Sequence, residues 1–406
     1  MIQTGSFQWM KSLNKSIILN QIRTSGPISR AQIAKDTKLT PPTVSSIVKE
    51  LIEQGLVKES NLGTSQGGRK PTMLVINSKE FYIIGIDAGP KEMEMILSDL
   101  SGQIIYETSY PITTSISEVE FMNMLKKGIE EFLETYAHLQ KKVIGIGVAM
   151  HGVIDVESGT SLFAPNMNLR NIPIKQELED TFSYVVKVEN DARAMALGEA
   201  WFGDSETSKS MMAVNMGRGI GAGMVIDGKL YHGEYDTAGE IGHMTLDIHG
   251  KKCQCGNHGC LQTVASGPAI AEKVKESVES GEKSIITDMA DDDISRINGE
   301  LVYQAALEND YVCRTILEET GVYIGVGLTN LIHVMNPGKI VIGGGVAKAE
   351  KFILSPIKTT IAEKALTKKA KQTQVVISDL GERATSLGAV SLLLVELFDP
   401  QVATTK

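Results

Sequence analysis

The sequence predicts an α/β protein in two parts, a winged helix-turn-helix over residues 1–80 and a two-lobed α/β body over residues 81–406. Three observations carry this. Apolar positions recur at helical spacing in three short runs before residue 55, two short strand-like runs follow, and beyond residue 81 a three-strand meander followed by helices and parallel strands occurs twice. Charge divides at the same place: residues 1–80 hold eleven Lys and Arg against five Asp and Glu, while the rest is acidic enough to bring the whole chain to -9. A basic segment on an acidic body suits a nucleic-acid reader joined to something else.

Within the first part, Leu13, Ile17, Ile18 and Ile22 define a helix that stops at Ser25-Gly26-Pro27. Ser29 is a good N-cap for a second helix through Ala31, Ile33 and Ala34. Thr40 caps a third, with Pro41 in its first turn and Val44, Ile47, Val48, Leu51 and Ile52 following until Gly55. Residues 56–59 and 72–76 read as two strands joined by a loop over 61–71, which forms the wing. In this geometry the third helix enters the major groove of double-stranded DNA. Its outward face offers Pro42, Thr43, Ser45, Ser46 and Lys49, short groups for base edges and phosphates. Arg30 on the second helix and Arg69 and Lys70 at the wing tip are further candidate DNA contacts.

The body begins with a buried-strand run, Phe81-Tyr82-Ile83-Ile84-Gly85-Ile86-Asp87, then Met93–Asp99 and 103–106, a helix over about 117–136 and a strand from Val143. The order returns with 210–215, a glycine turn over 217–223, strands at 224–226 and 229–231, and later strands at 339–345 and 373–377. Two similar lobes with a cleft between them are expected, residues 81–195 and 196–406, the C-terminal helix returning to the first. Glycine clusters fall at strand ends, where open α/β sheets take ligands.

Only four cysteines occur in 406 residues, and three of them, Cys253, Cys255 and Cys260, share an eight-residue window rich in glycine. With one imidazole they make the Cys₃His donor set of a structural zinc; His243, His249 and His258 are all near enough in sequence to supply it. No apolar run reaches the roughly 20 residues of a membrane span. Residues 1–15 lack the apolar core of a signal peptide, so a cytoplasmic location is expected.

Asn190-Asp191, Glu240-Ile241-Gly242-His243 and Cys253-Gln254-Cys255-Gly256-Asn257-His258-Gly259-Cys260, in that order, resemble the ROK family of repressors and sugar kinases from about residue 81 to 395. The added helix-turn-helix with Gly68-Arg69-Lys70-Pro71 resembles its repressor branch, which includes xylose and N-acetylglucosamine repressors. The resemblance implies an actin-like, ribonuclease H-like body. It implies that His243 binds the zinc and faces a sugar, that Asn190, Asp191 and Glu240 hold sugar hydroxyls, and that Asn166 lines the rim. The kinases' first loop reads Asp-x-Gly-Gly-Thr-Lys; here Asp87-Ala88-Gly89-Pro90-Lys91-Glu92 removes an N–H donor and adds a carboxylate where triphosphate would sit. Arg218 likewise replaces a hydroxyl in Gly217-Arg218-Gly219. Gln262 stands where the family often has a sugar-binding glutamate, so the preferred sugar is expected to differ.

The expected protein is therefore not an enzyme but a sugar-responsive repressor of carbohydrate-utilisation genes, binding operator DNA as a homodimer or dimer of dimers. A monosaccharide or sugar phosphate, xylose first, is its effector, and closure of the cleft would respace the recognition helices. The alternatives are a kinase with an added DNA-binding domain, since Asp191 remains, and a regulator controlled by a protein partner.

Overall fold

A computed structural model describes residues 13–62, 70–112, 116–204 and 210–398. The chain forms two compact units, residues 1–189 with 389–406, and residues 190–388.

The first unit opens with α1 (Leu13–Ser25), β1 (Ile28–Ser29), α2 (Arg30–Thr37) and α3 (Pro41–Glu53), followed by β2 (Val57–Leu62) and β3 (Thr72–Ile76). The helices start where short hydroxyls cap them: Ser29 accepts from the Gln32 N–H and Thr40 from the Thr43 N–H, each cap worth about 1 kcal/mol. Helix α3 ends in a Schellman turn, with the Leu56 N–H on the Leu51 carbonyl at 3.0 Å and Gly55 at φ +79°. Ile18, Leu19, Ile22, Ile33, Val44, Val48, Leu51 and Leu74 close the core of this domain. Leu13, expected in that core, is 42% exposed, and Leu19 fills the role from the buried face of α1. The three strands pair in the order β1-β3-β2, and β2 runs three residues past the expected strand end at Glu59.

The rest of the first unit is a five-stranded sheet with covering helices. Strands β4 (Tyr82–Ala88), β5 (Glu92–Asp99) and β6 (Ile104–Pro111) form the meander, then come α4 (Glu118–Thr135), β7 (Val143–Met150), the three-stranded sheet β8 (Val153–Asp155), β9 (Thr160–Ala164) and β10 (Leu169–Ile172), α5 (Ile174–Phe182) and β11 (Val185–Asn190). The main sheet runs β11-β7-β4-β5-β6, β4 pairing antiparallel with β5 and parallel with β7. Ser117 and Glu120 make a capping box on α4. Phe121, Leu125 and Ile129 of α4 pack on Ile84, Ile86, Ile146 and Val148.

The second unit repeats this wiring. It contains α6 (Asp191–Phe202), β12 (Ser210–Met216), β13 (Ile220–Ile226), β14 (Lys229–Tyr231), α7 (Gln262–Ala265), α8 (Gly267–Glu279), α9 (Ile286–Met289), α10 (Gly299–Leu307), α11 (Tyr311–Met335), β15 (Lys339–Gly343), α12 (Glu350–Lys364), β16 (Gln374–Ile377) and the start of α13 (Ala384–Phe398). Its sheet runs β14-β13-β12-β15-β16, the same order as the first. Both faces are covered: Met212, Val214 and Met216 join the cluster with Ile324, Ile340 and Ile353, while Ala213 meets Met195 and Ala196 of α6. Strands buried on both sides read as unbroken apolar runs, which is how the sequence presents them.

The glycine turn expected over 217–223 is shorter than that. Strand β13 already begins at Ile220, and its glycines exist for α6: a Cβ on Gly223 would lie 2.5 Å from the Ala196 Cβ and one on Gly221 would lie 3.0 Å from the Ala192 Cβ. That close approach brings the first turn of α6 onto the strand. In the first unit, residues 389–398 of α13 pack on β7, where a Cβ on Gly147 would sit 1.9 Å from the Ala389 carbonyl oxygen.

Candidate functional site

Two regions gather the predicted residues. On α3, Pro42, Ser45, Ser46 and Lys49 are exposed, as a groove-reading face requires. Thr43 is half-buried, its hydroxyl 2.8 Å from that of Thr40 and so engaged in the cap. Lys49 Nζ stands 3.8 Å from Glu53, a loose surface pair. Arg30 donates to Glu59 of β2 at 2.9 Å, so its charge is already matched. Lys70 is exposed; Arg69 lies outside the described residues.

The second region lies in the second unit, at the start of α6. Asn190 is its N-cap, its side-chain oxygen accepting from the Ala192 and Arg193 N–H groups at 3.0 and 3.1 Å. The same side chain donates to Asp191 Oδ1 at 3.0 Å, which also accepts from the Ala192 N–H at 2.8 Å. Asn215, at the end of β12, donates to Asp191 Oδ2 at 3.3 Å. The Asp191 carboxylate is thus oriented by two amide side chains and the first turn of α6.

Glu240 faces the same locality. Burial, then the negative charge of Asp191, hold its carboxyl above the usual carboxylate range, and Arg193 partly opposes them. Gly239 makes this placement feasible: at φ +101°, its missing Cβ would fall 1.8 Å from the Ala222 carbonyl oxygen of β13. Its own carbonyl accepts from the Ala222 N–H at 2.8 Å, so the segment is stitched to the strand. Arg193, wholly buried, donates to the Asp236 carbonyl at 2.7 Å and pins the approach to it.

One 3₁₀ turn later comes His243, where the cysteine loop closes. One ligating atom from each of His243, Cys253, Cys255 and Cys260 lies within 4.8 Å of every other, a group able to hold a metal ion. Cys253 Sγ is 3.7 Å from His243 Nδ1, and Cys255 Sγ is 3.7 Å from Cys260 Sγ. The loop is tight because Gly259, at φ +65°, sits where a Cβ would meet the Asp247 carbonyl oxygen at 1.5 Å. Burial lowers the imidazole's proton affinity and so favours the neutral, ligating form of His243. The Cys260 thiol is pushed up to about 12, first by burial and then by its sulfur neighbours. Cys255, exposed, is lowered, first by the Asn257 backbone N–H. His249 and His258, the other imidazoles near the loop, are exposed and outside the group.

Two predicted contacts remain. Asn166 belongs to the first unit, in the turn between β9 and β10. Gln262, the first residue of α7, donates its amide to Cys253 Sγ at 3.3 Å. Conversely, sequence reasoning passed over Asn215 and Arg193. Asn215 had a signal, a polar residue closing a buried strand just before Gly217; an arginine on a helix reads as surface, so Arg193 had none.

A winged helix-turn-helix followed by a duplicated α/β body with a Cys₃His loop defines the class. The chain belongs to the ROK family, which residues 83–396 match, and residues 14–58 match the winged helix-turn-helix DNA-binding domain. It is similar to the xylose repressor of Caldicellulosiruptor bescii, 32% identical over 97% of this chain and 98% of the relative. It is also 32% identical to the DNA-binding transcriptional dual regulator NagC of Escherichia coli K12, over 96% of this chain and 94% of that one. A crystal structure of a ROK family transcriptional regulator, a homolog of the E. coli MLC protein, superposes with a TM-score of 0.86 at 30% identity, covering 97% of this chain and 98% of that one.

Proposed function

We propose that the chain is a sugar-responsive transcriptional repressor of carbohydrate-utilisation genes, with a non-catalytic ROK body. The observation that carries this is the pairing of an oriented carboxylate, Asp191, with a second acid, Glu240, in a chain that also presents a capped helix-turn-helix. Two carboxyl groups of this kind accept from neighbouring sugar hydroxyls. Xylose is the favoured effector, in keeping with the xylose repressor among the relatives; other monosaccharides and sugar phosphates compete for the role. Asn190 and Asn215 orient Asp191, His243 offers its second face to the ligand, and Asn166 is a further candidate contact.

Pro42, Thr43, Ser45, Ser46 and Lys49 read operator DNA, and Lys70 and Arg69 of the wing are further candidate contacts. Symmetric operators need recognition helices about 34 Å apart, hence a homodimer or dimer of dimers. Sugar acts by linkage: it shifts the DNA-binding equilibrium only by its differential affinity for the two states, typically ~1–3 kcal/mol. Phosphoryl transfer is disfavoured by Pro90 in the β4–β5 turn and by the exposed Glu92 that follows it. No described helix is long and apolar enough to cross a membrane, and a cytoplasmic repressor fits that.

The residues also fit a structural zinc. With Zn–S near 2.3 Å and Zn–N near 2.0–2.1 Å, a tetrahedron needs sulfur–sulfur edges of about 3.8 Å and sulfur–nitrogen edges of about 3.6 Å; Cys255 Sγ and Cys260 Sγ are 3.7 Å apart, and Cys253 Sγ and His243 Nδ1 are 3.7 Å apart. Zinc bound by His243, Cys253, Cys255 and Cys260 would tie the loop to the turn that carries Glu240, with no open position for a water.

Fluorescence anisotropy on the upstream region of the chain's own gene, titrated with xylose, glucose and N-acetylglucosamine-6-phosphate, tests the reading. Release by one sugar, lost in Asp191→Ala, supports it. Tight binding indifferent to every sugar sinks the effector role and favours control by a protein partner.

A further inference from the structure

We infer that Gln262 is a positioning residue of the metal centre, donating its amide N–H to the Cys253 sulfur, rather than a sugar contact. This rests on the zinc reading above. The residue directly follows Leu261 and the ligand Cys260, and α7 starts there, so its side chain folds back over the loop. Its Nε2 lies 3.3 Å from Cys253 Sγ. The amide oxygen points the other way, toward two glycines: a Cβ would be 3.1 Å from it on Gly242 and 3.6 Å on Gly219. Those absent side chains leave room for the carboxamide to lie in this orientation.

A donor suits the buried sulfur here. Three thiolates on one divalent cation leave a net negative charge, and Cys253 is 4% exposed, so water cannot supply its hydrogen bonds. A thiolate accepts but has no proton to give, so only the N–H side of a carboxamide can meet it. A carboxylate of the same size would bring like charge to the sulfur and offer no proton. Glutamine at this position therefore stabilises the metal-bound thiolate form, and through His243 it also steadies the turn that starts at Glu240.

The test uses the full chain and two variants of similar volume, Gln262→Glu and Gln262→Leu, each reloaded with zinc and, separately, with cobalt(II). Zinc affinity is read by competition with a chelating dye, and the thiolate-to-cobalt charge-transfer band by absorption. Both variants are expected to hold zinc about ten- to a hundredfold more weakly, with Gln262→Glu the weaker. Both should shift the charge-transfer band to longer wavelength, because a thiolate without its hydrogen bond gives up electron density more easily. A general loss of stability would not move that band. Unchanged zinc affinity and an unchanged band in both variants, with altered xylose-dependent DNA release, would overturn the inference and return Gln262 to the sugar. A parent chain that takes up neither metal would overturn the zinc reading and this one with it.

Discussion

The guanidinium of Arg30, the first residue of α2, sits 2.9 Å from the carboxylate of Glu59 on the first wing strand. Both side chains are partly exposed, at 32% and 51%, so the pair contributes about 0–1 kcal/mol to stability. Its larger effect is on DNA binding, because a matched cation releases no counterion. Arg30→Ala should leave the slope of log affinity against log salt unchanged, whereas Lys49→Ala should flatten it by about one. Anisotropy at four or five salt concentrations separates the two. Glu59→Ala should free Arg30 and steepen the slope by a similar amount.

Glu240 ties stability to pH. Its carboxyl is raised by burial and by Asp191, so the unfolded chain gives up this proton at lower pH than the folded one does. The folded state therefore loses stability as pH climbs from the ordinary carboxylate range through the raised value. Glu240→Gln removes that loss. Its Tm should exceed the parent's at pH 7.5, the difference should vanish at pH 4, and the variant should no longer release DNA on addition of sugar. Calorimetry at the two pH values reads the first effect.

Metal uptake should follow the thiols. With Cys260 pushed up to about 12 in the metal-free chain, binding must displace its proton. Zinc affinity should rise with pH between 6 and 8, with at least one proton released per metal. Titration calorimetry in buffers of different ionisation enthalpy counts them.

Gly239→Ala should be costly. The added methyl meets the Ala222 carbonyl, at a φ that L residues avoid, and strain of this kind costs on the order of 1–3 kcal/mol. The Glu240 segment would lift from β13, so sugar response should fail while sugar-free DNA binding persists. A denaturant titration and the sugar titration together check this.

Most of the fold is legible in the sequence because its signals are local. Ser29 and Thr40 announce helices by a hydroxyl before an apolar run, and the cysteine loop announces itself by spacing. What escapes are pairings set from afar. Ile28 and Ser29 form a strand too short to carry any periodicity, visible only once Leu74 and Met73 lie opposite them. The three strands over 153–172 alternate too weakly to stand out from turns. Arg30 looks like a free cation until Glu59, 29 residues on, is placed beside it. Gln262 shows the limit most clearly: its identity suggests a polar contact, but which end of the amide is used, and toward what, depends on where Cys253 lies.

Both sheets follow one wiring plan, yet they are unequally furnished. In the first, the interval between the third and fourth strands of the plan, β6 and β7, holds a single long helix, α4. In the second, the same interval between β14 and β15 holds Glu240, the cysteine loop and all of α7 to α11. Variation around Glu240 and the cysteine loop is therefore free to accumulate in one insertion, while the repeated scaffold, which carries Asp191 and Asn215, keeps its register.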